Sequence, residues 1–336
     1  MNDKIITLDH GSGGKLSNNL ISEVFLKHFD NEILNVLHDG AILPSSNKRI
    51  AFSTDSYTVT PLFFPGGNIG NLAIHGTVND LAMCGAKPEY LSASFIIEEG
   101  VSIDILDKIA SSMAESAKQS KVQIVTGDTK VVGHGEADGM YINTTGIGFI
   151  RDDIFINARQ AQPGDVIIIN GPIGNHGISI LAARESLQLE KTIFSDTAPL
   201  SEMVSQILDT TREIHVLRDP TRGGLATTLN EIAQSSNVEI EIEEESIPID
   251  ENVRDTCEIL GFDPLYLANE GKLIVFVSPQ YAEKVLRKMK RLKYGEQSRI
   301  IGKVISKGKN PVYLKTDIGG KRLIGMLSGE QLPRIC

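Results

Sequence analysis

Cysteine is scarce in this chain of 336 residues, and its three copies never fall into C-x-x-C spacing. That removes both a disulfide framework and a zinc cluster, and leaves reduced thiols as the expectation. No apolar run is long enough to span a bilayer, and the opening "MNDKIITLDHGSGGK" lacks the apolar centre of a secretory signal. The chain is therefore expected in the cytoplasm, without a membrane partner. Positive charge is also in short supply: the net charge is −10 and the basic residues are scattered. Nucleic acid and anionic membrane are not the expected partners. An acidic chain that takes an anionic substrate needs a metal ion or oriented backbone amides to neutralise it.

The length fits two domains. A glycine-rich "HGSGGK" precedes "LSNNLISEVFLKHF", whose apolar residues recur at helical spacing. Then come a strand pattern, "KRIAFSTDS", a small-residue helix ending at "GAKP", a strand "EYLSASFII" and an amphipathic helix "SIDILDKIASSMAESAKQS". Strands "KVQIVTGDTKVV" and "MYINTTGIGFI" close this unit. Pro163 and Gly164 mark a turn where the pattern restarts. The second half predicts helices near 175–187 and 199–209, a loop and helix over "RDPTRGGLATTLNEIAQSS" and a strand over "VEIEIEEESI". It continues with a helix over "NVRDTCEILG", a strand "KLIVFV", a helix "YAEKVLRKMKRL" and late strands such as "SRIIGKVI". Strict βαβ repetition is missing, so the expected class is α+β with helices on one sheet face. The domains are expected at 1–155 and 156–325, followed by a tail at 326–336. Cys84 and Cys257 lie in helical patterns and are expected to be small core residues.

"HGSGGKLSN" fails the P-loop and the G-x-G-x-x-G patterns. It still suits phosphate, because glycines let amides turn inward around an anion, a helix start adds its positive dipole end, and Lys15 adds a charge. The alternative is a flexible loop that merely opens a helix. Asp55, Asp80, Asp128 and Asp219 stand at ends or turns of elements, each beside a small polar residue or glycine or proline. Short carboxylates converging on one crevice suit Mg²⁺, which takes one or two carboxylates plus phosphate oxygens. Taken singly, each is more often a cap or turn residue. Glu270 stands at the mouth of a buried strand, where a carboxylate can act as a general base or simply turn its head to water. Lys130 follows Asp128 by two residues and reads equally as a surface charge.

Read in order, "HGSGGK", "FSTDSY", "FFPGGNIG", "NDLAMCGA", "VTGDTKVV", "RDPTRGG", "ANEGKL" and the final "PRIC" closely resemble the HypE family of hydrogenase maturation proteins. The match runs from about residue 8 to the end. Its core is similar to the wider aminoimidazole ribonucleotide synthetase-like, or PurM-like, ATP-binding superfamily. The resemblance implies a two-domain α+β fold and a homodimer whose N-terminal domains form a β-barrel. ATP and Mg²⁺ are implied as cofactors. Gly11, Gly13, Gly14, Lys15, Asp55, Asn79, Asp80, Asp128 and Thr129 are the implied nucleotide-binding residues, and Asp55, Asp80, Asp128 and Asp219 the implied metal ligands. It further implies that a HypF-like carbamoyltransferase loads Cys336. ATP-dependent dehydration then makes a thiocyanate, and a HypC–HypD-like complex accepts the cyanide for the iron of a [NiFe]-hydrogenase. Cys336, Glu270 and Lys130 are the implied catalytic residues.

The chemistry accounts for a thiol in that place. Hydroxide is a poor leaving group, so removing an amide oxygen requires a phosphate ester first, and a base must take the nitrogen protons. A thiolate then releases the cyano group more readily than an alkoxide does. Prenylation is excluded because it needs its cysteine four residues from the end. About ten residues beyond "LIGM" extend roughly 30 Å, and Pro333 stiffens them. Two other functions fit the same core: a small-molecule kinase or synthetase in which Cys336 is idle, and a nucleotide-responsive carrier.

Overall fold

Alternation at period two builds the first sheet. Its strands are β1 (Arg49–Tyr57), β4 (Ala86–Glu98), β5 (Gln123–Val132) and β6 (Met140–Ile150). The computed structural model describes residues 5–7, 20–31 and 49–327. The strand order is β1-β6-β4-β5, with β4 and β5 parallel and the other pairs antiparallel. A two-residue hairpin, β2 (Phe63–Phe64) and β3 (Gly67–Asn68), leads into helix α1 (Ile69–Met83). The α1 helix is apolar or small nearly all round, and almost every residue in it is buried, as expected of a helix with no solvent face. α2 (Ile103–Ser120) is amphipathic and starts on Ser102, whose hydroxyl accepts from the amide of Ile105 at 3.2 Å. Both helices lie on one face of the sheet. The other face leaves Ile50, Phe52 and Ile96 at 59, 68 and 43 % exposure.

The second sheet has the order β13-β12-β9-β11-β7-β10-β8. Its strands are β7 (Val166–Ile169), β8 (Ile214–Arg218), β9 (Val238–Glu243), β10 (Ile274–Val277), β11 (Arg299–Lys307), β12 (Val312–Lys315) and β13 (Lys321–Ile324). The helices of this half are α3 (Asn175–Arg184), α4 (Ser201–Leu208), α5 (Gly224–Ser236), α6 (Glu251–Leu260) and α7 (Pro279–Met289). Ile274 and Phe276 pack with α5, while Val275 and Val277 pack with α4 and α7. This sheet is therefore covered on both faces near its centre, unlike the expectation of helices on one face. The α+β class stands, since among the described residues only the β4–β5 and β9–β12 pairs are parallel. Burial of each large β10 side chain contributes about 1.5–3 kcal/mol, so the segment entering β10 is tied to a rigid core. Ala82 and Met83 of α1 share the α4–α7 cluster, which locks the two halves together.

Three elements differ from the sequence reading. The β9 strand stops at Glu243, where a single 3₁₀ turn (Glu244–Ser246) takes over. The short buried β8 carries no periodic signal because both its faces are covered. Cys257 is buried, but Cys84 is exposed: it caps the C-terminus of α1, just before Gly85 turns the chain at φ 74°. Among the described residues, no helix is long and apolar enough to cross a membrane.

Candidate active site

Four stretches of chain converge on one cavity of about 200 Å³, lined by Thr54, Asp55, Ser56, Gly76, Asp80, Asp219, Thr221, Arg222 and Glu270. β1 delivers Asp55 on the same strand face as Ser53, whose hydroxyl donates to Asp80 Oδ2 at 2.7 Å. α1 delivers Gly76 and Asp80, one turn apart. The helix is started by a capping box: Asn68 Oδ1 accepts from the amides of Gly70 and Asn71 at 2.8 and 3.3 Å, and Asn71 Oδ1 accepts from the Asn68 amide at 2.8 Å. Position 76 must be glycine, because a Cβ there would run into the hydroxyl of the buried Tyr57. The loop after β8 delivers Asp219, Thr221 and Arg222, and the bend before β10 delivers Glu270, which is only 5 % exposed.

Crowding of carboxylates sets the electrostatics. Burial pushes Asp219 up to about 7, and the Asp80 carboxylate adds to the rise. Burial likewise raises Asp80, against the Ser53 hydrogen bond, with Asp55 pushing the same way and Arg218 and Arg222 opposing. The Cys84 thiol, partly screened by the protein although the residue as a whole is exposed, is raised as well and feels the charges of Asp80 and Asp219. Carboxylates that hold protons against their ordinary tendency are relieved by a divalent cation. Among the described residues, no group of three or more His, Cys, Asp and Glu side chains closes around a metal. The donor set thus fits a metal that brings most of its ligands with it, as Mg²⁺ on a polyphosphate does.

Asp55, Asp80, Asp219 and Glu270 come together as the sequence reading required of a site. The β5 residues do not join them within one chain. β1 and β5 are opposite edges of the sheet, three strand spacings or about 14 Å apart. Asp128 and Lys130 also project from the face away from α1, in register with Ser94, Asn143 and Ser56, where they sit 3.5 Å from each other and mostly exposed. Thr129 takes the opposite face of that same distant strand. Asn79 is buried, and its amide is spent on backbone: Nδ2 donates to the carbonyls of Ala198 at 3.0 Å and Glu270 at 3.3 Å, and Oδ1 accepts from the Leu200 amide at 2.8 Å. It braces the cavity wall rather than facing a ligand. Gly11, Gly13, Gly14, Lys15 and Cys336 lie outside the described residues.

Sequence reasoning passed over Ser53, Gly76, Thr221 and Arg222. Thr221 and Arg222 stand in the same "RDPTRGG" that supplied Asp219, and Ser53 is two residues from Asp55, a separation that on a strand means the same face. Gly76 is in a helix interior, where a glycine is unfavourable unless packing demands it, and that was its signal.

The family described as AIR synthase related protein, N-terminal domain, matches residues 37–150, and its C-terminal domain counterpart matches residues 162–315. The chain is 48 % identical over 332 residues to the carbamoyl dehydratase HypE of Cupriavidus necator, covering 98 % of this chain and 95 % of that one. A crystal structure of the hydrogenase maturation protein HypE in complex with ATP matches at a TM-score of 0.95 and 50 % identity, over 98 % of this chain and 99 % of that chain. A chain of a HypE–HypF complex matches at 0.81 and 48 % identity, over 92 % of this chain and 99 % of that chain.

Proposed function

The chain belongs to the HypE family, the carbamoyl dehydratases of hydrogenase maturation, and from that premise we propose that it dehydrates an S-carbamoyl group carried on its own Cys336 to a thiocyanate. A HypF-like carbamoyltransferase loads the thiol, and a HypC–HypD-like complex takes the cyanide for hydrogenase iron. In this reading residues 1–155 bind nucleotide and dimerise, 156–325 complete the cavity, and 326–336 form the travelling tail.

The observation that carries the proposal is where residues 324–327 are held. The amide of Leu327 donates to Thr227 Oγ1 at 3.3 Å, Tyr266 donates to the carbonyl of Gly325 at 3.1 Å, and Asn230 donates to that of Ile324 at 3.1 Å. Thr227 packs against Gly223, the residue after the cavity-lining Arg222. The root of the tail is therefore fixed at the first turn of α5, the helix that follows the cavity-lining Thr221 and Arg222 in the chain. Nine residues from 328 to 336 extend about 30 Å, ample for the sulfur to enter that cavity from its own subunit.

When bound, ATP with its Mg²⁺ supplies the phosphoryl group that turns the carbamoyl oxygen into a leaving group. Asp55, Asp80 and Asp219 are the residues that would hold the metal, whose charge would relieve the crowding that raises Asp80 and Asp219. Arg222 offsets part of the negative charge in the wall. Glu270, shielded from water, accepts a proton from the carbamoyl nitrogen. Cys336 holds the group through sulfur and later leaves as a thiolate, the S–C bonding pair staying on sulfur, while the accepting iron complex supplies the electron pair with which the cyano carbon becomes a cyanide ligand.

Asp128, Thr129 and Lys130 enter through a second copy. Among the described residues the sheet's two edge strands have no outer partner and its apolar face, with Phe52 and Ile50 on it, is uncovered, and closure of two sheets into a barrel removes both features. A homodimer is the arrangement in which β5 of one copy serves the site of the other, and there Lys130 orients the carbamoyl group.

Mass measurement of the C-terminal peptide of carbamoylated protein, before and after Mg-ATP, tests the proposal. Loss of one water is expected, and an unchanged mass excludes the dehydratase. Cys336→Ala should abolish ATP turnover; turnover that persists would point to a small-molecule kinase instead.

A further inference from the structure

Glu270 is held by its backbone as well as by its burial, and the holder is an ion pair behind it. Asp196 Oδ1 accepts from the Glu270 amide at 3.1 Å. The same carboxylate lies 3.0 Å from Lys272 Nζ, with the two side chains only 6 and 10 % exposed. On the other side of the peptide unit the Glu270 carbonyl accepts from Asn79 Nδ2 at 3.3 Å. The next carbonyl, of Gly271, accepts from Asn170 Nδ2 at 3.0 Å, and the Leu273 amide donates to Asn170 Oδ1 at 2.8 Å. Gly271 is obligatory, since a Cβ there would collide with the carbonyl oxygen of Asp196. Asp196 is itself fixed: its neighbour Ser195 accepts at Oγ from the Thr197 amide at 3.2 Å, bonds His176 Nδ1 at 2.8 Å, and donates its own amide to Pro65 at 2.8 Å.

The chain bends at Glu270 and Gly271, so Glu270 faces the carboxylate cavity while Asp196 and Lys272 line a separate cavity of about 270 Å³ behind it. A buried ion pair is a poor source of stability, because desolvating two charges consumes most of their attraction. Its position accounts for it better: it fixes where the Glu270 peptide stands, and misplacing a reacting group by about 1 Å can cost about a hundredfold in rate.

We propose that Asp196, neutralised by Lys272, is a positioning residue for Glu270, acting through its hydrogen bond to the Glu270 amide. The assignment rests on the dehydratase reading and adds to it a residue outside the reacting cavity. Two double variants separate the roles. D196N/K272M and D196A/K272M both delete the ion pair, but only the first keeps an oxygen that accepts from the Glu270 amide. Single-turnover water loss from the carbamoylated tail should stay within about threefold of wild type in the asparagine variant. It should fall by about a hundredfold in the alanine variant, with Mg-ATP affinity within about threefold in both. D196S/K272M, whose shorter hydroxyl falls short of the amide, covers an alanine variant that does not fold. If the wild type reacts and the two variants react alike, or if the loss lies wholly in ATP affinity, the positioning role is overturned and the dehydratase reading survives. A wild type that loses no water overturns both.

Discussion

Asp80 stands where its own charge is unfavourable, as the proposed metal-holding role would require. Its carboxylate is half surrounded by protein and faces Asp55 and Asp219, which is why its proton is held more firmly than in water. An amide of the same shape removes that tension and still accepts from Ser53. Asp80→Asn should therefore fold as well as the wild type, as read by thermal unfolding. Its Mg-dependent ATP hydrolysis should fall by about 10²- to 10³-fold, the scale for losing one preorganised charge contact to a transferring phosphoryl group. Hydrolysis at the wild-type rate would remove Asp80 from the site. His215 carries a residue-scale pH dependence. Its Nδ1 lies 2.9 Å from the buried Asp165 carboxylate, whose hydrogen bond raises the imidazole above 6.5 against the opposing effect of burial. The pair's contribution is full below pH 6.5 and is lost as pH rises through the folded value. Urea unfolding should show this decline in wild type, and His215→Gln should flatten it. Below pH 6.5 the sign reverses for His75 and His176, which burial lowers to about 3 and about 4, so their contribution is lost as the solution is acidified toward those values.

At the scale of elements, α1 is the part on which the site depends most. It carries Gly76 and Asp80 into the cavity, bridges the two halves through Ala82 and Met83, and braces the Glu270 segment through Asn79. Its start is secured by Asn68, which also donates to Ser112 Oγ of α2 at 2.8 Å. Asn68→Ala should lower the unfolding free energy by about 0.5–2 kcal/mol in a denaturant titration, with ATP affinity of the folded fraction preserved. A change below about 0.3 kcal/mol would mean that packing alone holds the helix start.

At the scale of the whole molecule, the outer face of the first sheet is left exposed among the described residues. Phe52, at 68 % exposure, sits on β1, an edge strand among the described residues. A charge placed there should be harmless to a monomer and damaging to a barrel-closed dimer. In the proposed dimer, Phe52→Asp is expected to shift sedimentation from dimer to monomer and, with it, to lose dehydration, because Lys130 and Asp128 of one copy would no longer reach the other. A variant that stays dimeric and active would mean that this face is not the contact.

The sequence by itself determined the elements with strong periodicity. β6 was readable residue for residue from Met140 to Ile150, and α2 from its Ser102 cap onward. It also determined which residue types could do chemistry, since Asp55, Asp80, Asp219 and Glu270 each lie in a short polar or glycine-rich stretch beside an apolar element. Only the tertiary structure decided which of them meet. Asp128 and Asp55 look equivalent in sequence, yet strand order puts them on opposite sheet edges and pleat parity puts Asp128 on the face away from α1. Asp196 lies in a stretch with no periodicity, and its role exists only because Gly271 lets two backbones touch. Local propensity acts over a few residues, whereas partnership across the fold depends on strand order, register and close contact.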